Sequence, residues 1–523
     1  MVHYKRLDQL FYLLLSTHFY DEPIFFSIFE AEIHHQHSLM DQIITFVNSC
    51  VWSWPLVILC LGAALYFSLG TRFVQARHLG DMVRFLFHRD KKRKEGISSF
   101  QAFALALSGR VGTGNVVGVA LAIGFGGPGS IVWMWIIAFL GAGTAYAEAC
   151  LAQIYKQRHG DQLRGGPAYY IERGLNCRWL AILFATITVI VCSICLPPIH
   201  CNSIAMSFSS TFGVSPLAIG LATAGLIALV VIGGVKRISK VAEIVTPFMA
   251  VAYILLSIVV LIVNIENVPA ALGDMVSSAF GFNEALGGIM GAAVSWGVKR
   301  GIYSNEAGQG TAPIVAAAAK VSHPVKQGLV QGFSVYVDTL LICTATAVML
   351  LATKCYNIID PVTGDYLVRS ATADLGEPGV EYTIAALGTL LGQHWSGVAV
   401  SITLFFFAFT TLMAYYYYAE TNLVYLFGKH NNLRREKVFT VILRVLFVGA
   451  VFFGSMKGVR TIWNLGDIGV GVMAWVNIIA ILLLSPKAFK ALKDFERQQK
   501  EGKDPVFNPH DIGIDNADYW EES

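Results

Sequence analysis

The sequence predicts an all-α polytopic membrane protein of about 11 transmembrane helices, and three observations predict it. Of 523 residues, 55% are hydrophobic and 14% are charged, where a soluble protein carries roughly 25% charged. Apolar stretches long enough to cross about 30 Å of hydrocarbon recur from residue 50 to residue 485. Lysine and arginine gather in alternate segments between those stretches. The net charge of +3 is too small to argue for a nucleic-acid partner.

Taken in order, the first half of the chain supplies spans at 51–70, 99–125, 129–155, 179–200, 212–234 and 241–263. The second half supplies spans at 285–319, 328–352, 395–427, 438–456 and 461–485. The segments 71–98, 156–178, 235–240, 320–327, 428–437 and the tail after 485 hold 28 of the 38 basic residues, whereas the alternate segments hold six. Cytoplasmic loops carry that excess, so an odd number of spans places the amino terminus outside and the carboxyl terminus inside. The organisation is then a periplasmic segment 1–45, an extra helix 51–70, five-helix blocks at 99–263 and 285–485, and a cytoplasmic tail 486–523.

Residues 1–45 carry Lys5 and Arg6 ahead of a short apolar run from Leu10 to Leu15, with no small-residue cleavage site behind it, so no signal peptide is expected. Phe25 to Phe29 and His34, His35 and His37 suit a surface helix, a weak metal trap or a disordered lead. The nine cysteines lie mostly inside apolar runs and read as small buried hydrophobes. Cys192 and Cys195 form a CxxC without a second pair at metal spacing, and Cys50 with Cys355 is a disulfide candidate.

Two spans are unusual. Ser108-Gly-Arg-Val-Gly-Thr-Gly-Asn115 puts three glycines and an arginine in the middle of the second span, and Trp296 to Gly310 does the same in the seventh. Each opens a block of five spans, so the blocks enter the membrane with opposite orientation. Non-helical backbone survives at membrane depth only where it lines a polar cavity or binds something. Amides freed at a half-helix start attract a carboxylate, and carbonyls freed at a half-helix end attract a cation. Interrupted segments at matching positions of inverted blocks point to the binding site of a secondary transporter, and a zwitterionic amino acid with a monovalent cation suits that pattern. Glycines also occur in membrane helices merely to let neighbours approach, which is the expectation for Gly141, Gly143, Gly220 and Gly225. As a nucleotide loop, Gly112-Thr-Gly114 fails, because no P-loop lysine follows.

The motifs Arg110 to Ala120, Gly126 to Trp135, Gly165 to Ile171 and Arg300 to Pro313, together with the chain from about 55 to 485, resemble the alanine or glycine:cation symporters. That resemblance implies an inner-membrane carrier taking up alanine or glycine with sodium, built on the LeuT-type 5+5 inverted repeat with one extra helix in front. It implies no catalytic residues and no cofactor beyond sodium as the coupling ion. By the same likeness, the amides around Gly112, Thr113 and Gly114 hold the substrate carboxylate, and Asn115 is a polar ligand near the substrate. The carbonyls of Ser108 and Val111 face sodium, and its remaining oxygens come from the carbonyl of Phe407 and the hydroxyls of Thr410 and Thr411 in Leu404 to Leu412. For those hydroxyls the alternative is a bond to their own backbone three or four residues back.

Where the family usually has glutamine before an alanine–asparagine pair, this chain reads Ile199-His-Cys-Asn-Ser203. His200 and Asn202 are therefore substrate candidates, with Asn305 in the second broken segment and Trp296 as a cap or a packing residue. A histidine at that position titrates near neutrality and admits pH dependence or an altered substrate range. Arg110, Glu148, Lys299, Arg300, Glu306, Asp338 and Glu420 fall within or close to the spans, and charges there usually pair. The expected pairs are Arg110 with one of the acids and Arg300 with Glu306 or Asp338. A buried unpaired Glu148 or Asp338 would instead make the coupling ion a proton. An enzyme is disfavoured, since neither HExxH nor Gly-x-Ser-x-Gly occurs. A channel would give unsaturable flux, and a receptor normally adds a sizeable soluble domain. Oligomeric state is not readable from the sequence.

Overall fold

The computed structural model describes residues 41–87, 95–160, 162–282, 289–360, 363–370, 374–428, 433–456 and 459–521. The expectations for Lys5 to His37 lie outside the described residues. Helix accounts for nearly all of the architecture, with two small antiparallel hairpins, Gln157–His159 with Gln162–Arg164 and Ile358–Ile359 with Tyr366–Val368. Among the described residues, eight helices are long and apolar enough to cross a membrane, and one further pair, Ser99–Arg110 with Gly114–Gly126, qualifies as a span bent by 50°.

The helices that position the site are α1 (Trp54–Gly70), α2 (Ser99–Arg110), α3 (Val119–Gly126), α4 (Ser130–Ile154), α5 (Pro167–Leu175), α6 (Arg178–Ile190), α7 (Pro197–Phe212), α8 (Pro216–Val231) and α9 (Gly234–Val263). The second half supplies α10 (Met290–Asn305), α11 (Ala312–Ala318), α12 (Pro324–Val335), α13 (Thr344–Thr353), α14 (Gln393–Phe427), α15 (Leu433–Gly454) and α16 (Val459–Lys500).

Several expected boundaries move, each for a local reason. The span placed at 179–200 runs as helix from Arg178 to Phe212, because a π turn at Val191–Cys195 absorbs the mismatch created by Pro197 and Pro198. It stops where Gly213 adopts φ 67°. The helix expected as the fifth span is accordingly Pro216–Val231, an apolar helix of only 16 residues, started by Ser215, whose hydroxyl accepts from the Ala218 amide. The first span already begins at Asp41, and the last continues through Pro486 to Lys500 rather than ending at 485. The seventh is two short helices, α10 and α11, rather than one crossing of 285–319.

The first break has a readable cause. Ser98 and Gln101 form a reciprocal capping box that starts α2. The helix then ends at Arg110, with Val111 extended at φ −77°, ψ 92°, and the chain resumes as a π turn over Gly114–Gly118. Glycine is required at 112, since a Cβ there would lie 2.5 Å from Thr411 Oγ1. The second break opens where Glu306 takes φ 56° and closes after Gly308 and Gly310, each at φ 87°. Among the glycines expected to serve packing, Gly220 lies against Ser455, whereas Gly225 faces open space.

The buried charges pair differently from expectation. Arg300 and Lys299 both engage Asp467 of α16, Lys299 Nζ at 2.7 Å from Oδ2, rather than Arg300 meeting Glu306 or Asp338. Arg110 finds no carboxylate within ion-pair distance among the described residues. It donates through Nε to Asn305 O at 2.6 Å and through Nη1 to Gln331 O at 3.2 Å and to Ser334 Oγ. The reason is geometric: the end of α10 presents bare carbonyls at the negative pole of its dipole, and a guanidinium satisfies them without a counter-charge. Among the described residues all nine cysteines are free thiols, so the Cys50–Cys355 disulfide does not form.

Candidate functional site

Carbonyls left over at the end of α2 face the middle of α14. Thr411 Oγ1 lies 2.9 Å from Ser108 O, 3.4 Å from Val111 O and 2.9 Å from Phe407 O. Four neutral oxygens from two helices thus converge on a fully buried spot. Carbonyl and hydroxyl oxygens are hard ligands of the kind that suit a hard cation. Thr410 is only partly part of this cradle. Its hydroxyl donates back to Phe406 O at 2.9 Å and Phe407 O at 3.0 Å, and reaches Met249 Sδ at 3.6 Å, the self-bonding alternative for a helical threonine.

On the other side of the break, α7 delivers His200. Its Nδ1 is 3.4 Å from Thr113 Oγ1, its ring meets Tyr415 edge-on at 5.2 Å, and its buried Nε2 has no partner among the described residues. His200 Cε1 would be 3.3 Å from a Cβ at Gly112. Gly112, Thr113, His200 and Thr411 therefore meet in one place, although they come from three elements far apart in the chain. Gly112→Ala is expected to lower cation-driven uptake by roughly 5-fold to 100-fold, since the added methyl displaces the Thr411 hydroxyl at an overpacking cost of about 1–3 kcal/mol. Uptake titrated against cation concentration in proteoliposomes checks it, and an unchanged half-saturation point would count against this geometry.

A second polar knot joins the two breaks. Asn115 Oδ1 accepts from the Gly112 amide at 2.8 Å, while its Nδ2 donates to Asp338 Oδ1 at 2.7 Å. Ser304 Oγ and Thr339 Oγ1 donate to Asp338 Oδ2 at 2.8 and 2.6 Å. Asp338 sits in a π-helical stretch, Tyr336–Cys343, a bulge of the type that re-aims side chains at sites. Around the second break, Glu148 accepts from the Gly308 amide at 2.9 Å and from Asn477, and Glu306 accepts from the Tyr418 hydroxyl at 3.1 Å. Asn305 caps its own turn, its Oδ1 accepting from the Ala307 amide at 2.9 Å, and its buried Nδ2 has no partner among the described residues.

Two candidates stand apart. Asn202 donates to Gly454 O at 3.0 Å and lines a cavity of about 150 Å³ with Val117, Glu377 and Trp463. Trp296 stacks on Phe125 at 4.9 Å, beside the far end of α3, under the Lys299 and Arg300 cations. Conversely, Ser304, Asn477, Tyr415, Tyr418 and Asp467 participate without having been singled out. A polar residue in an apolar span was the signal at hand for Asp467 and Asn477; nothing in the local sequence separates Tyr415 or Tyr418 from ordinary packing aromatics.

Residues 37–509 match the model of the sodium:alanine symporter family. The chain is 49% identical over 483 residues to the putative sodium/proton-dependent alanine carrier protein YrbD of Bacillus subtilis, covering 92% of this chain and 98% of that one. It is 48% identical to the sodium/proton-dependent alanine carrier protein of Bacillus sp. strain PS3, over 82% of this chain and 95% of the relative. It is 41% identical to the probable sodium/glutamine symporter GlnT of Bacillus subtilis, over 90% and 93% of the two chains.

Proposed function

The chain belongs to the sodium:alanine symporter family, and from that premise we propose that it carries a small neutral amino acid, alanine or glycine, into the cell with sodium by alternating access. The observation that carries the reading is the Thr411 hydroxyl seated among the carbonyls of Ser108, Val111 and Phe407. Sodium is taken by those oxygens together with Thr410. The amino acid lies across the break beside Gly112, Thr113, Gly114, Asn115 and His200, with Asn305 from the second break. Asn202 and Trp296 belong to the approach to that place rather than to its floor. The protein sits in the inner membrane with its amino terminus outside, its carboxyl terminus in the cytoplasm, eleven spans and a 5+5 inverted repeat.

Coupling follows from the shared backbone. Carbonyls before the break order the cation and amides after it order the carboxylate, so each ligand pre-organises the other's site, and the linkage is reciprocal. One sodium moving through roughly 100 mV gains about 2.3 kcal/mol, and a tenfold gradient adds about 1.4 kcal/mol. Together they sustain a roughly 500-fold accumulation of an uncharged amino acid.

The second reading is proton coupling, which the full burial of Asp338 favours and its three side-chain donors, which stabilise the carboxylate, oppose. The deciding measurement is labelled alanine uptake into proteoliposomes under an imposed sodium or proton gradient. The expected result is accumulation under the sodium gradient alone, retained in part by Asp338→Asn. Accumulation driven only by protons, and lost in that variant, would replace sodium with a proton.

A further inference from the structure

Beyond Lys500 the chain turns back at Gly502 (φ 73°) and packs along the end of the helix bundle, burying Phe507, Ile514, Ala517 and Tyr519. It is tied at both ends of that run. Near its start, Asp504 pairs with Lys326 of α12 at 2.5 Å, and the Phe507 amide donates to Ser322 O at 2.9 Å. Near its end, Asp518 pairs with Arg173 of α5 at 3.1 Å, and the Trp520 indole donates to Gln153 O at 2.9 Å. Phe507 and Trp520 meet edge-on at 5.1 Å, joining the two ends.

One of these anchors, Gln153, also holds the short helix following the second break, together with Lys156. Gln153 Nε2 donates to Ala316 O at 2.5 Å and Ala319 O at 2.8 Å, and Lys156 Nζ donates to Ala319 O at 3.2 Å. The tail covers that lysine with two rings, Tyr519 at 4.4 Å and Trp520 at 4.6 Å from the ammonium. The same end of α11 is also bridged to the strand-like lead into α2, through Ile97 N to Ala318 O at 3.0 Å and Lys320 N to Ile97 O at 3.1 Å. Both broken helices therefore meet at this mouth, and α11 can leave it only by breaking its bonds to Gln153, Lys156 and Ile97.

We propose that residues 504–521 are a strap that latches this mouth shut, so that opening on this face requires the strap to let go of α4, α5 and α12. Its contacts mix polar bonds, ring contacts and ion pairs such as Arg173–Asp518, each of whose side chains is 37% exposed, a composition that suits a reversible latch rather than a permanent core. The strap supplies a closing bias in the population of states and adds nothing to the binding places themselves. The inference rests on the alternating-access reading, but its test needs neither substrate nor sodium.

The reporter is Ala318→Cys, buried at the mouth, in otherwise complete protein in proteoliposomes. It is labelled with a membrane-impermeant maleimide from the carboxyl-terminal face, and the signal of the protein retaining Ala318 is subtracted. Labelling is expected to run about fivefold faster in Trp520→Ala, in the double variant Asp504→Ala with Asp518→Ala, and in a chain ended after Lys503. Unchanged labelling in the shortened chain, at wild-type thermal stability, overturns the proposal. Should the shortened chain fail to fold, the two substituted proteins decide it on the same criterion. A failure of sodium-driven uptake in the gradient experiment would leave these labelling rates untouched, so the two readings fail separately.

Discussion

Thr411→Ala is expected to raise the sodium concentration for half-maximal alanine uptake by roughly 10-fold to 100-fold while the protein stays folded. Its hydroxyl lies within 2.9 Å of carbonyls from both α2 and α14, so it faces both sides of the proposed cation place. Losing an oxygen contact to a charged group costs about 1.5–3 kcal/mol, which is that range of affinity. Thr411→Ser keeps the oxygen and is expected to stay near wild type. Thr410→Ala is expected to do less, because the Thr410 hydroxyl bonds Phe406 O and Phe407 O of its own helix, whereas that of Thr411 adds Ser108 O of α2 to its own-helix bond to Phe407 O. Sodium titrations of uptake at fixed alanine separate the three. Equal sodium dependence in Thr411→Ala and wild type would remove α14 from the cation site.

Asp467→Asn is expected to give the largest loss of stability, about 3–5 kcal/mol, because it leaves two buried cations without their carboxylate. Lys299 Nζ sits 2.7 Å from Asp467 Oδ2, and Arg300 shares that oxygen. Trp296, Tyr303 and Trp463 surround the Arg300 guanidinium at 5.3, 5.4 and 5.0 Å, a setting that shields it from water and offers ring faces but, among the described residues, no second anion. Thermal unfolding of the detergent-solubilised protein measures the loss, with a midpoint drop of about 3–5 °C for a chain of this length. Removing one cation with the acid, as Asp467→Asn with Lys299→Met, should recover part of it. A midpoint within a degree or two of wild type in Asp467→Asn would mean that the two cations are solvated rather than buried.

Much of the fold was legible because the bilayer imposes coarse rules. Span length, loop charge and the cost of a broken helix in lipid are each written over many residues. The break at Gly112 and Gly114 was visible because glycine, arginine and asparagine rarely gather in mid-span unless the helix opens there. Boundaries were less legible: the π turn at Val191–Cys195 lets one helix pass Pro197 and Pro198, and no apolar periodicity announces such a bulge. The docking of the tail was also hidden, because its anchors, Trp520 on Gln153 O and Asp504 on Lys326, are single contacts between segments hundreds of residues apart.

By itself the sequence determined that this is a helical membrane protein whose second span is interrupted, since hydrophobic length and helix-breaking residues act locally. Only the tertiary structure decided which groups meet. Arg110 turns to the carbonyls of Asn305 and Gln331 instead of an acid, Asp467 takes both Lys299 and Arg300, and Thr411 rather than Thr410 reaches Ser108. Each of these choices is settled by the rotation and crossing of packed helices, which fixes the partner of a side chain through distances that no spacing along the chain records.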